Sequence, residues 1–221
     1  MSSPLNCLVT GASGYIGGRL VPELLSAGYA VRCMARDPGK LSDRPWSDDV
    51  EIAVADVMDG GAVRRALEGV DVAYYLIHSL GTDASFEQRD RDAAQTFAAA
   101  AKAAGVQRIV YLGGIISGQA GKLSPHLRSR AEVGDILLAS GVPTAALQAA
   151  VIIGSGSASF EMLRYLTERL PAMVTPSGSI RASSRSPSAT CCVTWPTAPR
   201  CRPRSAAAST LAAPTCSPTR R

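Results

Sequence analysis

Eight residues, Thr10-Gly11-Ala12-Ser13-Gly14-Tyr15-Ile16-Gly17, constrain this chain more than any other stretch. They follow a short apolar run at residues 5–9 that reads as a strand, and they lead into apolar residues at helical spacing from 15 to 27. In a strand–turn–helix unit each glycine has a mechanical reason. Gly11 allows the tight turn, Gly14 lets the backbone come close to a pyrophosphate, and Gly17 lets the helix pack on the strand. The helix start then presents unpaired amides and a positive dipole end to an anion, with Ser13, Tyr15 and Ile16 supplying the backbone between the glycines.

The rest of the first 170 residues repeats this alternation. Strands are predicted at 30–35, 50–55, 70–77, 108–112 and 144–153, and helices at 61–67, 85–104, 127–140 and 159–169. Gly28, Gly69 and Gly105 stand where three of the helices stop. The run at 70–77 (VDVAYYLI) is almost wholly apolar, as a strand covered on both faces requires. Such alternation predicts an α/β fold, a doubly wound parallel sheet of the Rossmann type, over residues 1–174.

The second strand runs out into Arg36, nineteen residues after Gly17. An acid at this point serves the ribose hydroxyl of NAD, whereas an arginine accommodates the 2′-phosphate of NADP. Arg36 therefore predicts NADP(H) over NAD(H), with Asp37 beside it as the residue that would reverse the preference by turning inward. Asp56 and Val57, after the third strand, are expected beside the adenine, although an aspartate there also suits a turn. Ile77, His78 and Ser79 end the fourth strand at the carboxyl edge of the sheet, where ligands lie in such folds. Two roles are open to His78 and Ser79, contact with the nicotinamide or loop packing.

The runs TGASGYIGGRLV, MARDPGKL, ADVMD, GVDVAYYLIHS, AAKAAGVQRIVYLGG and HLRSRAEVGDILLASGVP resemble successive segments of an atypical or extended short-chain dehydrogenase/reductase, in its bacterial NmrA-like subgroup. The resemblance covers residues 5 to about 176. It implies an NAD(P)-binding oxidoreductase acting on a small carbonyl or quinone, or a non-catalytic NADP(H) sensor. Active members carry Tyr-x-x-x-Lys on the helix after strand five and a hydroxyl residue ending that strand. Here the strand ends Tyr111-Leu112-Gly113-Gly114, and His126 and Arg130 stand at the tyrosine and lysine positions. Their i, i+4 spacing puts both on one helix face. A cation beside a histidine disfavours the imidazolium, leaving a neutral ring that is a poor acid but a competent base or hydrogen-bonding group. The other role open to the pair is structural, His126 flanking the helix and Arg130 on its surface.

The final 47 residues, 175–221, break the pattern. Of these, 38 are Ser, Pro, Ala, Thr or Arg, and none is acidic. Seven of the 23 basic residues lie here, so the first 174 residues hold 16 basic against 18 acidic and carry −2 rather than the whole chain's +5. The basic balance is thus no sign of a nucleic-acid partner. Low complexity of this kind predicts a disordered tail. Four cysteines and Trp195 suggest a further explanation, translation out of frame from near Pro176. With a permitted choice of codons, residues 181–196 read from one nucleotide earlier become RIQPIAVRDVLRYLA. In the same shifted frame residues 208–219 become FDIGGPDVLTY. Both strings resemble segments of the same family, in the expected order.

Cys7 and Cys33 lie in apolar strand-like runs, and no C-x-x-C pair supports zinc. No stretch reaches the roughly 20 uncharged apolar residues of a membrane span. The start of the chain lacks a basic segment leading into an apolar one, which predicts a cytoplasmic protein. No oligomeric state is predicted.

Overall fold

The computed structural model describes residues 4–79, 85–115, 123–150, 152–169, 186–187 and 209–210. The first strand, β1 (Asn6–Thr10), has Cys7 to Thr10 all buried, because layers cover both of its faces. After it come α1 (Gly17–Ser26), β2 (Ala30–Ala35), the short α2 (Gly39–Ser42), β3 (Glu51–Val54), α3 (Gly60–Ala66), β4 (Val72–Tyr75) and α4 (Phe86–Ala103). Then follow β5 (Arg108–Gly114), α5 (Pro125–Leu138), β6 (Thr144–Ala149), β7 (Ile152–Ile153) and α6 (Ala158–Arg169).

The strands lie in the order β3-β2-β1-β4-β5-β6, all parallel. The order reverses between β1 and β4, which opens a crevice at the carboxyl ends of these strands. Period-two alternation divides the core between the two faces of the sheet. Leu8, Tyr75, Phe97, Ile109 and Leu137 pack on one side, and Cys7, Val9, Leu20, Tyr74 and Val110 on the other. The Tyr75 ring meets Phe97 edge-on with centroids 4.9 Å apart, joining β4 to α4.

Gly28 and Gly105 adopt φ of +83° and +74° just past α1 and α4, a backbone conformation that a side chain would strain. The helix expected from Tyr15 begins at Gly17, because residues 11–16 are used by the turn. The strand expected at 144–153 divides into β6 and β7 around Ala150. Unforeseen were α2 and a 3-10 turn at Ser47–Asp49.

Two two-residue strands come from the C-terminal stretch. β8 (Ser186–Pro187) pairs with β7, and β9 (Ser209–Thr210) pairs with β6 beyond the sixth strand of the sheet. Each falls inside one of the two stretches with a family-like shifted reading. The remainder of the expected tail lies outside the described residues. Among the described residues, no helix is long and apolar enough to cross a membrane.

Candidate functional site

Thr10 anchors the glycine turn to the place where the strand order reverses. Its buried hydroxyl donates to the Tyr74 carbonyl at 3.0 Å and accepts from the Leu76 amide at 3.0 Å, tying β1 to the end of β4. Gly11 follows at φ +69°, where a Cβ would lie 3.1 Å from the Leu76 oxygen. At Gly17 a Cβ would lie 2.7 Å from Ala12 Cα, inside the turn itself. A Cβ on Gly14 would meet only the Gly11 carbonyl, at 3.2 Å, so the outer face of the turn is open. That pattern, crowded behind and open in front, fits a pyrophosphate resting on the turn.

The segment after α2 braces the turn from outside. Arg44 donates to the Ser13 carbonyl at 2.7 Å, and Trp46 Nε1 donates to the Gly18 carbonyl at 3.2 Å. Nothing in the sequence marks Arg44 for this task, since the contact spans 31 residues across a loop.

Two cavities meet over the turn. One, of about 620 Å³, is bordered by Ser13, Arg36, Lys40, Asp56, Val57 and Ile77 among others. The other, of about 720 Å³, lies above β4, β5 and β6 and is bordered by Tyr15, Ile16, Gly17 and Arg130 with apolar neighbours. Gly11, Gly14, Leu76 and His78 border both. Of the cofactor-binding and catalytic candidates named from the sequence, His126 alone borders neither.

At the first end, Arg36 is exposed at the rim. Asp37 does border the same cavity, but its carboxylate accepts the Gly39 amide at 3.0 Å and is turned to the start of α2. Lys40, the second residue of α2, adds another cation that the sequence reading missed. Asp56 accepts the Met58 amide at 2.9 Å, a local turn that leaves it on the cavity wall.

At the second end the expected histidine–arginine pair does not converge on the cavity. The exposed His126 ring stacks on Phe86 at 4.6 Å, whereas Arg130 borders the cavity. A different histidine shares that space with Arg130. By surface area His78 is exposed at the cleft, yet the atoms crowded around its ring desolvate it. That desolvation, and then the Arg130 charge, push its pKa below the ordinary histidine range, against the opposing effects of Asp90 and a hydrogen bond with the Leu76 backbone. His78 is therefore a neutral imidazole near pH 7. Beneath it, the 7 % exposed Asp90 accepts the Ser79 amide and the Ser129 hydroxyl, each at 2.9 Å. Tyr111 donates from its hydroxyl to the Arg130 carbonyl at 2.8 Å, and burial pushes its phenol pKa up.

The family described as NAD(P)H-binding matches residues 11–156 of this chain. A 3-beta-hydroxysteroid dehydrogenase of Mycolicibacterium neoaurum is 33% identical over 114 residues, which cover 47% of this chain and 30% of that enzyme. The match thus spans less than a third of that relative's length. The triphenylmethane reductase of Citrobacter sp. superposes with a TM-score of 0.69 at 23% identity, over 87% of this chain and 64% of its own. Its complex with NADP(H) superposes with a TM-score of 0.60 at 24% identity, over 74% and 55% of the two chains. These likenesses establish a common fold. The family match, by contrast, begins on the first glycine of the turn and continues to Gly156 before α6, and on that ground the chain belongs to the NAD(P)H-binding family of Rossmann-fold proteins.

Proposed function

We propose that the cleft binds NADP(H) and that the protein reduces a small carbonyl compound or a quinone. One observation carries the reading: the glycine turn lies between two cavities, with Arg36 and Lys40 bordering one and His78 and Arg130 the other. In this reading the amides of residue 13 and residues 15–17 hold the pyrophosphate, the Gly14 amide being taken by the Gly11 carbonyl at 3.0 Å, and the adenosine extends toward Asp56 and Val57. Arg36 and Lys40 pair with the 2′-phosphate, a recognition that a guanidinium and an ammonium both suit. The nicotinamide lies beside Ile77 and His78.

A bound nicotinamide cofactor supplies the hydride. The residues of this chain orient it and shape the space opposite. His78 borders the cleft with its pKa held down, so that it brings a neutral imidazole, with one donor and one acceptor nitrogen, to that space. Arg130 borders the same cavity and brings a guanidinium, a planar set of hydrogen-bond donors, to it.

A second reading, a non-catalytic NADP(H) sensor, is favoured by the absence of Tyr-x-x-x-Lys and by the position of His126 outside both cavities. Two measurements separate the readings. Fluorescence titration with NADPH and NADH should give saturable binding, tighter for NADPH. NADPH oxidation should then be followed with a panel of quinones and aldehydes, using protein whose C-terminal frame has been verified. Binding with turnover supports the reductase, and tight binding without turnover on any acceptor supports the sensor. No binding of either nucleotide refutes both.

A further inference from the structure

The larger cavity has an unusual charge pattern. Leu112, Ile115, Leu127 and Ile152 give it apolar walls, interrupted by the polar side chains of Tyr15, His78, Ser157 and Ser159, and Arg130 is the one charged side chain among the described residues that border it. No hydrogen bond or ion pair engages the Arg130 guanidinium among the described residues, although its backbone carbonyl accepts from Tyr111. The nearby acid, Asp90, is committed to the Ser79 amide and the Ser129 hydroxyl, and it borders the other cavity. The nearby histidine, His78, is held neutral. Among the described residues the protein gives the Arg130 guanidinium no counter-charge in this cavity, so an anionic group on a bound ligand is a partner it can take.

The twelve-residue helix α6 starts at this cavity, with Ser157 and Ser159 on its border. Ser157 caps the helix by accepting the Phe160 amide at 3.2 Å, and Glu161 takes the Gly156 amide at 3.1 Å outside the cavity lining. Glu161, in the first turn, offsets the positive end of this helix, so Arg130 is the charge that faces the cavity.

We infer that the larger cavity selects a substrate bearing a carboxylate, with Arg130 as the group that binds it and the apolar walls holding a small aryl or alkyl body. This deepens the reductase reading by naming the substrate class: a carbonyl compound or quinone that carries a carboxylate beside its reducible group. Arg130 is then a specificity-determining residue.

The test uses binding, so that it stands apart from turnover. Isothermal titration of the full chain with 4-carboxybenzaldehyde and with its neutral amide, 4-formylbenzamide, is performed with and without saturating NADP+. The carboxylate should bind about tenfold or more tightly than the amide, and Arg130→Gln should abolish that difference while Arg130→Lys retains part of it. Circular dichroism melting shows whether each variant is folded, and a titration with NADPH shows whether each keeps its cofactor affinity. Equal binding of the two aldehydes by the unmutated chain overturns the inference. So does a folded Arg130→Gln variant that loses NADPH affinity and keeps the aldehyde preference, because Arg130 would then serve the cofactor. Failure of NADPH to bind at all overturns the cofactor reading, while the comparison of aldehydes without nucleotide still decides the role of Arg130.

Discussion

The carboxylate of Asp90 in α4 holds the hydroxyl of Ser129 in α5 at 2.9 Å, with Ser129 only 2% exposed. The other carboxylate oxygen takes the Ser79 amide at 2.9 Å, so one acid joins two helices and the loop that leads out of β4. A hydrogen bond to a charged group contributes about 1.5–3 kcal/mol, and a buried acceptor left unsatisfied costs a similar amount. Ser129→Ala should therefore destabilise the fold by about 1–2 kcal/mol, and Asp90→Ala by more, since it strands both donors. Urea denaturation measures this directly. Midpoints unchanged in both variants would show that the contact carries no stability.

Arg36 is expected to discriminate between the two nicotinamide dinucleotides. It borders the cavity on the β2 side, while Asp37 is occupied with the Gly39 amide. Arg36→Ala should weaken NADPH binding by about tenfold or more and leave NADH binding within about twofold, because only the 2′-phosphate loses a partner. Lys40→Ala should act in the same direction. Fluorescence titration with each nucleotide is the measurement, and an Arg36→Ala variant that still prefers NADPH to the original degree would remove Arg36 from the site.

The doubly wound order, the glycine turn and the first five strands were legible because their signals are local. A strand, a turn and a helix start within a dozen residues of one another, and each constrains the next. His78 was legible as a residue at the carboxyl edge of the sheet; that it, rather than His126, shares the larger cavity with Arg130 was not. His126 and Arg130 share a face by spacing, but a helix of fourteen residues also packs sideways, and His126 finds Phe86 on the start of α4. His78 shares a cavity with Arg130 only because α5 packs beside β5 and α4, a long-range consequence that no spacing encodes. Asp90 is similarly hidden, since in the run Arg89-Asp90-Arg91-Asp92 nothing distinguishes the one buried carboxylate from its solvated neighbour.

The same histidine sets a pH dependence. Desolvation and the Arg130 charge hold the folded His78 pKa below its unfolded value of about 6.5. Below that value the unfolded chain takes up a proton that the folded chain resists, so folding stability is complete above it. It declines as pH falls, until the folded pKa is reached. Thermal melts from pH 7.5 to 5 should thus show a falling melting temperature, with a shallower slope in His78→Asn. The difference between the two curves isolates His78 from the carboxylates that titrate lower down. Parallel curves would mean that the ring protonates as easily folded as unfolded.

The last prediction concerns residues 175–221. Their composition departs from that of the domain before them, and the two described strand pairs, Ser186–Pro187 beside β7 and Ser209–Thr210 beside β6, lie within the stretches whose shifted reading is family-like. On α6, Met162 is 65% and Tyr165 58% exposed, apolar surface that a following segment could cover. Resequencing the gene across the codons for residues 172–180 should show one base missing or added. The protein expressed from the restored frame should then melt at a higher temperature than the present chain, because burial of such surface stabilises the fold. An intact frame at those codons would overturn the out-of-frame reading and assign the arginine-rich stretch to the native protein. The substrate side of the cleft would then have to be completed by the residues of the present chain, and the NADP(H) sensor would become the stronger of the two functional readings.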